Sequence, residues 1–419
     1  MAKGTGKRLR TRDKAVQEQY EDFPYPPRDS EDEKKRLIVG SPSQLDEVNH
    51  YIFGGKRDFS KPFRALVAGA GTGDAAIMLA QQLADYGAAG TVTYVDLSAA
   101  SRKVAEARAK VRGLRNIVFH TGSLLDLPQM ELEPFDYIDC CGVLHHLEDP
   151  DQGLTALEAV LATGGGMGLM VYATLGRTGV YHVQDALKIL VGDEPQKKQV
   201  PLAKKFVAGL PSTNWLVRNP FVGDHKIGQD AAFFDLLLHP RDRSYLVPEV
   251  VSLLESAGME LVVFLEPAKY DPAVFIRDKD LLARVKELSD IEKASLAETI
   301  TGSLKTHLFY AKKSNDQSSN VAKIAPQMIP ILKEGNPPET LAAVFKGKSS
   351  FEISFDGEKV VFTLPPRCAE MVALCDGKAD LRHMQAQLGL NWEGMRKSFV
   401  PVFKLLNSWN IMWLKDGSQ

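Results

Sequence analysis

The stretch from Ala65 to Gly73, read Ala-Leu-Val-Ala-Gly-Ala-Gly-Thr-Gly, constrains this chain more than any other. Its first four residues form an apolar run suited to a strand buried on both faces, and its three glycines at alternate positions precede a helical pattern from Asp74 to Asp85. The expected order is strand, tight turn, helix. Glycine suits such a turn because the backbone must bend sharply and let a ligand come close with no Cβ in the way. The helix that follows offers unpaired N–H groups. A nucleotide-like ligand is the expected guest.

Beyond the loop the pattern alternates. Strands are expected at Thr91–Val95, Ile117–Thr121, Phe135–Cys141 and Gly165–Tyr172, and helices at Ala99–Val111 and Gln152–Leu161. Alternation of this kind predicts an α/β fold: a doubly wound, mostly parallel sheet with ligands at the carboxyl ends of its strands. A helix is expected over Ser41–Tyr51, capped by Ser41 or Ser43. At 419 residues the chain exceeds one typical core, and 44% hydrophobic with 25% charged residues is ordinary globular composition. No apolar run reaches the ~18 residues of a membrane helix, and the basic start carries no secretory pattern, so the expected compartment is cytoplasmic. Four cysteines fit neither a disulfide framework nor paired zinc ligands, and a net charge of −2 offers no general pull on nucleic acid. The basic run Lys3–Lys14 reads as a solvated tail.

The loop admits two ligand readings. A dinucleotide fingerprint needs Gly or Ala at its sixth position, where this chain has Asp74, a carboxylate that would repel a pyrophosphate. Asp96 ends the second strand, where one carboxylate can accept from both hydroxyls of a ribose, or simply cap the next helix. The third strand leads into Gly122-Ser123, and the fourth into Cys-Cys-Gly-Val-Leu-His-His-Leu, residues 140–147. Adjacent histidines cannot both hold one metal as a helical His-x₃-His pair does, so no metal site is expected. Taken together, Gly69-x-Gly71-x-Gly73, Asp96, Gly122-Ser123 and Phe135-Asp-x-Ile…Val-Leu-His-His-Leu resemble the motifs of class I S-adenosylmethionine-dependent methyltransferases over about 64–312.

The resemblance implies S-adenosyl-L-methionine as cofactor. Gly69, Ala70, Gly71, Thr72 and Gly73 would form the loop around it and Asp96 would take the ribose. Leu97 and Leu124 would stack on the base, Ser123 and Leu124 would touch it through the backbone, with Asp126 as a further candidate for its amine. Cys141 and Gly142 would pass under the methionine part. Val67 stands where the family usually has an acid. The resemblance also extends to a Tyr-x-x-Phe-Pro-Tyr-Pro segment, Tyr20–Pro26, found ahead of the domain in one bacterial branch; it implies a lid, against the alternative of a strap. Candidate catalytic residues are His146 first, then His145 and Tyr172. An imidazole titrating near neutrality can serve as general base, and the alternative for each histidine is a structural role.

The stretch 173–245 is long for a connection inside a compact domain, and long insertions are usually functional. It is expected to cover the carboxyl edge, with Tyr172, Arg177, Tyr181 and the run Asp235–Tyr245 lining an acceptor pocket. The expected organisation is a tail and lid at 1–60, the catalytic domain at 61–314, a linker at 315–323 and a small winged-helix-like α+β domain at 324–419. Few basic residues mark the would-be recognition helix at Leu381, so protein docking or dimerisation is expected of that domain rather than DNA binding. The expected acceptor is a protein or peptide side chain such as lysine. A small-molecule acceptor, an inactive cofactor-binding regulator and an NAD-dependent oxidoreductase are the alternatives.

Overall fold

A computed structural model describes residues 16–87, 89–318, 321–355 and 358–418. The run Lys3–Lys14 and the Asp356-Gly357 turn lie outside the described residues. The central sheet has seven strands: β1 Arg64–Ala68, β2 Thr91–Asp96, β3 Ile117–Thr121, β4 Phe135–Cys141, β5 Leu161–Tyr172, β6 Met259–Phe264 and β7 Thr306–Lys313. Their order is β3-β2-β1-β4-β5-β7-β6. β1 to β5 run parallel, and β7 runs antiparallel to both β5 and β6. This is the doubly wound sheet expected from the alternating pattern.

Strand alternation splits the core in two. Leu66 and Ala68 face a cluster with Phe135, Ile138, Leu154, Leu169 and Leu254, while Ala65 and Val67 face one with Tyr51, Leu79, Tyr94 and Tyr310. The insertion builds a third, smaller core around Val183, Leu187, Phe233 and Phe234. Its helices Val180–Val191, Gln196–Ala208 and Asp230–Leu237 thus carry their own apolar faces.

The helix before β1 differs from expectation. It spans Leu45–Ile52, and Gln44 precedes it without a side-chain cap. Both serines expected as caps are taken by buried carboxylates: Ser43 Oγ donates to Asp139, and Ser41 Oγ donates to Glu47 at 2.6 Å. A buried carboxylate without donors is costlier than an uncapped helix end, so the serines go to the acids.

The C-terminal module pairs β8 Met328–Leu332 with β11 Met412–Asp416, and β9 Ser350–Phe355 with β10 Glu358–Thr363. β8 and the helix Pro338–Phe345 were not expected; Pro330 lies inside β8, and proline reads as a strand breaker except at an edge. The module sits directly on the helix Leu45–Ile52. Asn410 Nδ2 donates to Glu47 at 2.8 Å and Tyr51 Oη donates to Asn410 Oδ1 at 3.3 Å. The Leu414 N–H donates to His50 Nδ1 at 3.0 Å. Trp413, 1% exposed, packs into the same core as β1.

Candidate active site

The glycine loop takes the shape its sequence demands. Gly69, Gly71 and Gly73 have φ of +71°, +51° and +99°. A Cβ on Gly69 would lie 2.3 Å from Val143, and one on Gly71 would lie 2.6 Å from the carbonyl oxygen of Tyr25. The loop is therefore closed over by the N-terminal segment. The Thr72 hydroxyl donates to Pro26 O at 2.7 Å, and the Thr72 N–H donates to Tyr25 O at 3.3 Å.

The chemistry of the loop discriminates between ligands. The N–H groups of Gly69 and Ala70 donate to Val95 O, that of Gly71 to Asp96 Oδ2 at 2.7 Å, and that of Gly73 to Ala70 O. With the Thr72 N–H also used, none of these five donors is left for a pyrophosphate. Asp74 is held by Arg28 and Arg108, each at 2.6 Å, and Arg108, only 1% exposed, is also held by Glu33. Asp96 accepts the Gly71 N–H on one oxygen and the Ser98 N–H at 2.8 Å on the other. A carboxylate offers about four acceptor positions. Two remain for the hydroxyls of a ribose, while the helix cap comes from Ser98 itself, whose Oγ accepts from the Ser101 N–H at 3.0 Å. Burial raises Asp96 above the usual carboxylate range, and donors on the free positions would relieve it.

Other residues of the cofactor reading fall along the same edge. Leu97 follows Asp96, and its carbonyl accepts from Gln17 Nε2 at 3.2 Å. Ser123 caps a short turn, its Oγ accepting from the Leu125 N–H at 3.2 Å, and Asp126 is exposed. Cys141 ends β4, and Gly142, at φ +79°, donates to Met170 O at 3.1 Å. Leu124 corrects the stacking reading: its side chain is 5% exposed and packs with Leu127, Phe135 and Leu144 in the core, so no face of it is left for a base. Only its backbone lies at the edge.

Beside this edge is a second, buried cluster, assembled from distant stretches of chain. Tyr172 at the end of β5 donates to Asp235 Oδ2 at 3.2 Å, and Tyr20 from the N-terminal segment donates to Asp235 Oδ1 at 3.4 Å. His146 stacks on His239 with ring centroids 3.7 Å apart, and His145 lies on Tyr172 at 3.8 Å. Arg177 covers the other side of Tyr172, 3.7 Å from its centroid, and is anchored by Asp242 at 3.0 Å and by the Tyr181 hydroxyl at 3.2 Å. The residues expected around the acceptor do converge here, with Tyr20 joining from the N-terminal segment.

Hydrogen bonding assigns the tautomers. His146 Nδ1 lies 2.9 Å from Arg241 O, a carbonyl that can only accept, so Nδ1 carries the proton and Nε2 keeps its lone pair. His239 is the opposite: Nδ1 accepts the Arg241 N–H at 3.1 Å, so Nε2 carries the proton and donates to Tyr20 at 3.4 Å. One polar atom each of His146, Asp235 and His239 lies within 4.8 Å of the others, close enough for a metal ion. The donor set does not fit one, because His239 has already committed its lone pair to the backbone. The arrangement is instead a relay: His239 donates to Tyr20, and Tyr20 and Tyr172 donate to Asp235. Burial raises Asp235 and both tyrosines and lowers His239. Among the described residues, neither ring nitrogen of His145 has a hydrogen-bond partner, and burial holds this ring neutral.

Sequence reasoning missed the network Glu33–Arg108–Asp74–Arg28 and the buried acids Glu47 and Asp139. On a helical pattern Arg108 reads as a solvent-facing residue. The one available signal was Asp74 itself, a carboxylate at a ligand loop that needed cationic partners.

Residues 66–167 match the family described as a methyltransferase domain. An uncharacterised protein of Synechococcus sp. is 29% identical over 319 residues, covering 72% of each chain. A ubiquinone biosynthesis O-methyltransferase of Hahella chejuensis is 25% identical over 228 residues, covering 50% of this chain and 87% of the relative. Among solved structures, PKMT2 from Rickettsia typhi in complex with AdoHcy aligns with a TM-score of 0.57 at 13% identity, over 84% of this chain and 71% of that one. That last likeness is one of fold.

Proposed function

We propose an acceptor, and a role for each polar group facing it, for a chain that is an S-adenosylmethionine-dependent methyltransferase of class I fold. The acceptor is an amine that arrives protonated, of the kind a protein or peptide lysine presents. One observation carries this reading: the buried carboxylate of Asp235, held by two tyrosine hydroxyls, beside a His146 Nε2 that has a lone pair to give. A carboxylate among aromatic rings attracts an ammonium group, and the imidazole can take the proton that must leave before nitrogen can attack.

The cofactor supplies a methyl group on a good leaving thioether, so the work left to the protein is alignment and proton removal. Gly69, Ala70, Gly71, Thr72 and Gly73 would shape the loop around it and Asp96 would hold its ribose. Leu97, Ser123, the Leu124 backbone, Cys141 and Gly142 would line its path toward Tyr172. Tyr172 and Tyr20 position Asp235, Asp235 positions the ammonium, and His146 accepts its proton. His145 serves as packing under Tyr172 rather than as a second base. A hydroxyl on a small molecule is the second reading, favoured by the match to an O-methyltransferase over half the chain.

Transfer of tritiated methyl from S-adenosylmethionine into fractionated protein and metabolite pools tests the acceptor. Label on lysine of a protein fraction, lost in Asp235→Asn, is the expected result. Label confined to metabolites would overturn the lysine reading and support the second. Cofactor binding is tested separately. Asp96→Ala should weaken S-adenosylmethionine binding by about 1.5–3 kcal/mol per hydrogen bond lost; unchanged affinity by calorimetry would remove the ribose role.

A further inference from the structure

A cavity of about 310 Å³ lies on the seam between the sheet and the C-terminal module, away from the cluster around Asp235. Its wall on the sheet side includes Lys269, Lys305 and Glu266, and Lys333 and Asn410 reach it from the module. Its size is at the lower end of pockets that hold small metabolites. The charges are unequal. Glu266 pairs with Lys269 at 2.6 Å. The Glu47 carboxylate behind the wall is fully buried and receives Ser41, Tyr310 and Asn410 as donors at 2.6, 2.7 and 2.8 Å. The Lys333 ammonium is near enough to the buried Glu47 carboxylate to favour its charged form, but among the described residues no carboxylate forms an ion pair with Lys305 or Lys333.

Backbone conformation marks the same place. Glu266 has φ +56°, a left-handed conformation that glycine or asparagine adopts more readily than glutamate. Strain of this kind persists where surrounding structure imposes it, and it clusters at ligand sites. Asn410, at φ +55°, needs no such account, because it follows the helix Trp392–Ser408 in the position where left-handed residues end helices.

We propose that this cavity binds a small anionic metabolite bearing phosphate or carboxylate groups, held by Lys305 and Lys333 from opposite sides of the seam. One lysine belongs to the sheet and the other to the module, so the ligand cross-links the two. Thr306, on the cavity wall, pairs in register with Tyr172 across β5 and β7. This inference does not depend on the acceptor proposed above.

The test uses the full chain, titrated with inorganic phosphate and, separately, with citrate, ionic strength being held constant with chloride. Melting temperature and calorimetric heat are followed. Saturable stabilisation by one of the two is expected, and which one does it separates phosphoryl from carboxylate chemistry. Lys305→Gln with Lys333→Gln should weaken that binding at least tenfold, while Lys346→Gln, an exposed lysine elsewhere on the module, should leave it unchanged. Circular dichroism of each variant reports folding. No saturation with either anion, or equal binding by the double variant, would overturn the proposal.

Discussion

At the scale of residues, His145 and His146 are neighbours in sequence with opposite prospects. Their rings lie 4.2 Å apart, yet only His146 has a partner that sets its tautomer. His146→Gln should therefore lower kcat by about a hundredfold or more, the range for loss of a general base, with cofactor affinity retained. His145→Gln should act through stability and leave most of the turnover of the folded enzyme. Comparable kcat losses in the two variants, measured at saturating substrate, would contradict the assignment. Sequence named both histidines as candidate bases and put His146 first. It could not supply the reason, which is a carbonyl 95 residues away at Arg241.

At the scale of elements, the helix Leu45–Ile52 has the most consequential surroundings. The sheet lies on one side of it and the module on the other, and nearly all its residues are buried. Burial lowers His50 from 6.5 to about 4, and its Nδ1 cannot both accept the Leu414 N–H and carry a proton. The unfolded chain takes up that proton below pH 6.5 while the folded protein does not. Stability from this site is complete above pH 6.5, falls as the pH drops towards about 4, and levels off below that. The whole span corresponds to about 3 kcal/mol. Urea denaturation of the wild type and of His50→Gln across this range should show the difference between them shrinking towards low pH. A constant difference would refute the coupling.

At the scale of the whole molecule, the C-terminal module shares buried contacts with the sheet. Trp413 crosses into the sheet's own core, and Asn410 completes the hydrogen bonding of Glu47. Trp413→Ala should cost about 3–5 kcal/mol. Calorimetry of the wild type should give one unfolding transition, not two; separate transitions would show that the module is independent. The sequence reading treated the module as a separate small domain, because a polar stretch after Lys313 reads as a linker. Nothing in a local pattern reveals that Trp413 points away from its own helices.

The alternating pattern determined the sheet by itself, since strand and helix periodicity and glycine turns are local properties, and so did the loop Gly69–Gly73 and the place of Asp96. Tertiary structure decided the rest. It moved Ser41 and Ser43 from helix caps to buried acids, turned Leu124 into the core, and gathered Tyr20, His146, Tyr172, Asp235 and His239 from four separate stretches. The physical reason is the same each time. Burial makes an unpaired polar group costly, and the partner that satisfies it can come from any part of the chain that the fold brings near.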